Sequence, residues 1–121
     1  MTGSRASRLL FGAALLAGLA VLPADAHHGW GSYDAGRPLT LTGPIKRMSF
    51  ENPHGAIRLA ADNKEWEIIL APPSRMVNRG LEQAMIQVGT TVSVYGYPSR
   101  MVPDELRAER ITVSGKTTEL R

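Results

Sequence analysis

Pro38-Leu39-Thr40-Leu41-Thr42-Gly43-Pro44-Ile45-Lys46-Arg47-Met48-Ser49-Phe50 is the stretch that decides the fold. Side chains of a strand alternate between two faces, so Leu39, Leu41 and Ile45 share one face. Met48 and Phe50 fall on the opposite parity. One extra residue near Gly43-Pro44, or just after it, restores the face, which is what a β-bulge does. Residues 38–50 therefore read as one long, bent first strand.

Around it the chain alternates turn chemistry with short strand patterns. Glu51-Asn52-Pro53-His54-Gly55 turns the chain, with Pro and Gly as punctuation. Ile57 and Leu59 mark a second strand. Asp62-Asn63-Lys64 signals a hairpin, and Trp66, Ile68 and Leu70 alternate in a third strand. Pro72-Pro73 ends it, because proline cannot donate to a ladder. Ser74 is the expected cap of a short helical turn reaching Val77, stopped at Gly80. Leu81, Ala84 and Met85 have helical spacing for a second turn. Val92 and Val94 alternate in a fourth strand over 90–97, and 98–104 is a loop. Residues 105–114 make a fifth strand, with Leu106, Ala108, Ile111 and Val113 apolar and a phase slip among them. Lys116 onward is a polar, frayed tail. Three strands, a short helix and two strands, led by a strand shared between two sheets, give an all-β, five-stranded OB-like Greek-key barrel. A β-sandwich of seven strands fits the length less easily. Pro-Ser-Arg-Met-Val occurs at 73–77 and again at 98–102, too short a match to be a repeat.

The flanks set the compartment. In residues 1–26, Arg5 and Arg8 supply a basic start, Leu9 to Leu22 an uncharged apolar run, and Ala24-Asp25-Ala26 a small-x-small cleavage signal. The run is too short for a membrane-spanning helix, which needs about 20 residues. It reads as a signal peptide cut after Ala26, leaving a periplasmic or secreted chain with no stable membrane insertion. Residues 27–37 form a Gly-rich arm, 38–115 the barrel and 116–121 the tail. Trp30 and Tyr33 are large for a loose arm and are expected to fold it onto the domain. The 121-residue chain has no cysteine, so disulfides and thiolate metal sites are excluded. Its 14 basic and 11 acidic residues are interleaved, and the charge pattern does not support nucleic-acid binding.

Three histidines carry the chemical signal: His27 and His28 at the expected new N-terminus, and His54 in the Asn-Pro-His-Gly turn. An N-terminal histidine chelates a metal through its amine and ring Nδ1. A second imidazole completes a three-nitrogen site suited to copper(II). His54 is the natural third ligand and His28 its competitor. Met101, in the loop after strand four, is a soft ligand candidate for copper(I). Asp34 and Glu51 are candidates for carboxylates that orient a ring. The loops holding His54 and Met101 are expected at one end of the barrel. The ten residues from His27 to Gly36 span at most about 33–36 Å, enough to return to His54 if the arm folds back. The bland alternative is a His54 that only bonds within its own turn, beside an incidental His27-His28. No nucleophile elbow, zinc-protease helix or phosphate loop is present. A binder is therefore preferred to an enzyme, and an oxidative copper enzyme ranks third. The rival class is an envelope module without metal that captures a ligand or periplasmic protein partner on Tyr95 and Tyr97.

His27-His28, Asn52-Pro53-His54, Trp66-Glu67-Ile68, Arg79-Gly80-Leu81 and Gly89-Thr90-Thr91-Val92 together carry a family likeness. The chain resembles a family of short exported bacterial proteins classed as a domain of unknown function. Thr90 stands where that family commonly has Asp. The resemblance covers the expected mature chain and implies an exported, OB-like domain, with no established activity.

Overall fold

The computed structural model describes Gly3 and residues 29–121; the other residues before 29, with His27 and His28, lie outside them. Six strands form: β1 Leu39–Ser49, β2 Ala56–Ala61, β3 Lys64–Ile69, β4 Thr91–Pro98, β5 Glu105–Val113 and β6 Lys116–Glu119. Helix α1 (Pro73–Asn78) and a 3-10 turn (Gln83–Ile86) link β3 to β4. The strand order is β3-β2-β1-β4-β5-β6, and a β3–β5 pairing closes the sheet into an OB-like barrel. Among the described residues, no helix is long and apolar enough to cross a membrane.

Within this one sheet β1 changes partner along its length, as its parity break implies. Residues 39–44 pair with β4, and residues from Ile45 onward pair with β2. The register shifts between Ile45 and Arg47, so the extra residue is Lys46, just after Gly43-Pro44. Leu41 and Ile45 then both point into the core, against Ile57, Leu59, Trp66, Ile68, Val92, Val94, Leu106 and Ile111. The phase slip in β5 is also a bulge: Tyr95 faces Arg110 and Gly96 faces Ala108, which leaves Glu109 unpaired in the register. Two two-residue turns have left-handed residues at both central positions, Asp62-Asn63 and Ser114-Gly115. That geometry matches the twist of the strands they join.

Several local expectations are corrected. Residues 116–121 are not a frayed tail. They fold back as β6, pair with residues 110–113 of β5, and bury Thr118 and Leu120. Arg75 donates to the Leu120 carbonyl, and Arg79 donates to those of Glu119 and Arg121, so α1 covers the edge that β6 leaves open. The helix begins at Pro73 rather than after Ser74, with no side-chain cap. Proline suits that first position because its missing N–H has no helical acceptor there. In the turn after it, Leu81 and Ile86 are buried and Ala84 is exposed, because the chain winds as a 3-10 turn and not as an α-helix.

Candidate functional site

The His54 turn is held from below. Gly55 N–H donates to the Ala71 carbonyl and Leu70 N–H donates to the Gly55 carbonyl, both at 2.9 Å, which fastens the turn to the end of β3. The Asn52-Pro53 bond is cis. A Cβ on Gly55 would meet Met76 Cε at 2.7 Å and the Ser49 carbonyl oxygen at 3.3 Å, so the buried Met76 side chain would have to shift to admit it. His54 Nδ1 lies 3.1 Å from the Gly55 carbonyl oxygen. A carbonyl only accepts, so Nδ1 carries the hydrogen. In a neutral imidazole anchored this way the ligand nitrogen is Nε2. This is the arrangement of a metal-binding histidine whose other nitrogen is anchored to backbone.

The arm does fold onto the barrel. Trp30–Ser32 make a 3-10 turn, and Tyr33 forms a bridge with Ser99. Asp34 N–H donates to the Pro98 carbonyl, and Arg100 N–H donates to that of Ser32. The Trp30 ring has the Arg107 guanidinium 4.4 Å and the Arg121 guanidinium 4.6 Å from its centre. Tyr97 meets it edge-on at 6.1 Å. Arg107 pairs in register with Ile69, and Ile69 pairs with Ala56, two residues beyond His54. Two strand spacings, about 10 Å, therefore separate the backbone under Trp30 from the strand that leaves the His54 turn.

Beneath the arm lies a polar pair that sequence reading missed. Tyr33 is buried outside the main core, and its hydroxyl donates to buried Glu105 at 2.9 Å. Burial and the neighbouring Glu105 push the Tyr33 phenol well above its ordinary range. Burial likewise lowers the pKa of Arg107. The only sequence signal was an acidic residue opening a strand whose neighbours are apolar.

The other expected site residues are dispersed. Asp34 accepts from Gly36 N–H at 3.1 Å and faces Arg100 at 3.6 Å, so it braces the β4–β5 loop. Glu51 is exposed. Met101 is 81% exposed on the β4–β5 loop. That loop is joined to the start of β3 through Asp104 and Lys64, whereas His54 sits at the end of β3. Lys64 to Leu70 is about 20 Å of strand. The two loops flank the β2–β3 face from opposite ends and do not share one end. Among the described residues, no three His, Cys, Asp or Glu side chains converge as a metal cluster.

A sequence-family model described as a family of unknown function, DUF6152, matches residues 15–105, most of the chain. The chain belongs to the DUF6152 family. The match spans the His54 turn and the arm, and stops where β5 begins. No curated protein is significantly similar to this DUF6152 chain. Among solved structures, it is similar to TiaS in complex with an isoleucine tRNA and ATP, at 18% identity and TM-score 0.48, covering 74% of this chain and 20% of that one. It is also similar to a ZRD-deleted TiaS mutant with agmatine, at 20% identity and TM-score 0.46, covering 70% and 24%. The chain thus spans about a quarter or less of those proteins.

On the DUF6152 barrel wall, Tyr95 and Tyr97 form one ladder with their neighbours. Tyr97 donates to the Glu109 carboxylate, Tyr95 stands edge-on to Tyr97, and the Arg110 guanidinium lies 4.3 Å from the Tyr95 ring centre. The hydrogen bond to Glu109, aided by desolvation, pushes Tyr97 up to about 12. A phenol raised above its unfolded value of about 10 stabilises the fold fully below that pH, and the contribution is lost as pH climbs through 12. Tyr97→Phe should remove a phenolate absorbance step near pH 12. It should also flatten the fall in stability between about pH 10 and 12. A Tyr97→Phe stability profile that overlays the parent between about pH 10 and 12 would show that the Glu109 bond does not form in solution.

Proposed function

We propose that this is an exported copper-binding domain, a periplasmic carrier or sensor component. Its site takes copper(II), or a similar metal, through the amine and ring Nδ1 of His27 and through Nε2 of His54, with His28 as the competing ligand. One observation supports the reading: His54 Nδ1 is tied to the Gly55 carbonyl, so a metal at this turn would be met by Nε2. The contact of the Trp30 ring with the Arg107 and Arg121 guanidiniums supports it, because it brings the arm back to the row of strands that begins beside His54. The metal choice follows from the donors. Nitrogen ligands in a flat, T-shaped set favour copper(II), while a chain without cysteine supplies a tetrahedral zinc site poorly.

The test is a copper(II) titration of protein that begins at His27, read by EPR. One tight equivalent with nitrogen hyperfine structure, lost in His54→Ala, is the expected result. A weak signal that His54→Ala leaves unchanged would mean that the terminal histidines merely scavenge copper.

A further inference from the structure

We propose a second binding site, for a phosphate group, in the polar pocket lined by Lys46, Arg47, Arg58 and Glu65 on the outer wall of β1–β3. It is separate from the copper reading and does not depend on it. The bulge creates it. With Lys46 as the extra residue, Arg47 falls directly opposite Arg58 on the neighbouring strand. Like charges directly opposite each other across an antiparallel pair destabilise a sheet. Bulges near binding sites commonly serve to re-aim a side chain in this way.

The three cations are not used up by the fold. Arg58 gives its Nε to Glu67 at 3.3 Å, which fixes the plane of the guanidinium and leaves its two Nη groups as donors. Lys46 and Arg47 are exposed, and neither has an ion-pair partner among the described residues. Against the one carboxylate in the lining, Glu65, two guanidinium forks and an ammonium keep the pocket net positive and match the oxygens of a single tetrahedral anion. A polyanionic chain needs a continuous basic track, and here the next outward positions along β3 are Glu65 and Glu67. The ligand is therefore a single phosphate group, supplied as a free phosphate compound or as a lipid headgroup.

The experiment is an amide-resolved NMR titration of the mature chain with inorganic phosphate, beside a flotation assay with phosphatidylglycerol vesicles. Saturable shifts confined to residues 46, 47, 58 and 65–67 are expected. Arg47→Gln should weaken binding roughly tenfold or more, the effect of losing one charge-assisted hydrogen-bonding group. Arg37→Gln removes the same charge elsewhere and should leave binding unchanged. Arg47→Gln should also unfold at the same urea concentration as the parent or a higher one, because it relieves the opposition to Arg58. Vesicle capture that Arg47→Gln abolishes would assign the group to a headgroup, and binding of free phosphate alone to a soluble compound. No saturable binding of either probe, or equal loss in Arg37→Gln and Arg47→Gln, overturns the proposal.

Discussion

Gly43→Ala is expected to be among the most destabilising single changes in the barrel. A Cβ at Gly43 would lie 1.8 Å from the carbonyl oxygen of Ala60 and 2.9 Å from its carbonyl carbon. Both obstacles are backbone, so no rotamer change relieves them. This is where β1 leaves β4 and turns to β2, and the two strands must approach closely for the barrel to close. Overpacking in a core typically costs about 1–3 kcal/mol when side chains share the strain. Here β1 and β2 must separate, so the loss should reach the top of that range or beyond. A domain holds only about 5–15 kcal/mol in total. Gly96→Ala should behave similarly, since its Cβ would lie 2.1 Å from the Arg107 carbonyl oxygen. Gly31→Ala is the control, with nothing within 4 Å of the added carbon. Urea unfolding checks this: the midpoint should fall sharply for Gly43→Ala and Gly96→Ala and hold for Gly31→Ala. A Gly43→Ala midpoint equal to that of the parent would mean that the strands do not approach as described.

These glycines also show what sequence reading could reach. The break in parity between Ile45 and Met48 made a bulge in β1 legible, because a core face cannot change sides without an extra residue. The slip in β5 was legible for the same reason. β6 was not, since Lys116-Thr117-Thr118-Glu119 carries no apolar alternation and its burial comes from Thr118 and Leu120. The Ser114-Gly115 turn before it was the available signal. At the candidate site, the His54 turn could be read from Asn-Pro-His-Gly, being local. What holds the arm could not, because Trp30 rests on Arg107 and Arg121, far away in sequence. Asp34 was legible as a carboxylate near the histidines, but not as the partner of Arg100. The opposition of Arg47 and Arg58 depends on which residue bulges. Without Lys46 as the extra residue, Lys46 would take the place of Arg47 opposite Arg58.

One alanine placed ahead of His27 is expected to weaken copper(II) binding by more than the roughly 10–100-fold that loss of a ligand's hydrogen-bond partner costs. A free α-amine titrates near 7.7–8.0, so a metal displaces its proton at neutral pH and gains a nitrogen donor. The added residue turns that amine into an amide, whose nitrogen has no comparable lone pair. The chelate through the amine and ring Nδ1 is then broken, although all three imidazoles remain. This separates the proposed site from a cluster of side chains, which the extension would leave intact. His54→Ala should weaken binding as well, while His28→Ala should do so only slightly if His54 is the third ligand. Binding to the parent should fall away as pH drops below about 7, where protons compete strongly with the metal for the terminal amine. Calorimetric titration of the four proteins in parallel, with circular dichroism to confirm the barrel, gives the comparison. Equal affinity in the extended chain would remove the terminal amine from the site and leave copper binding to the imidazoles alone.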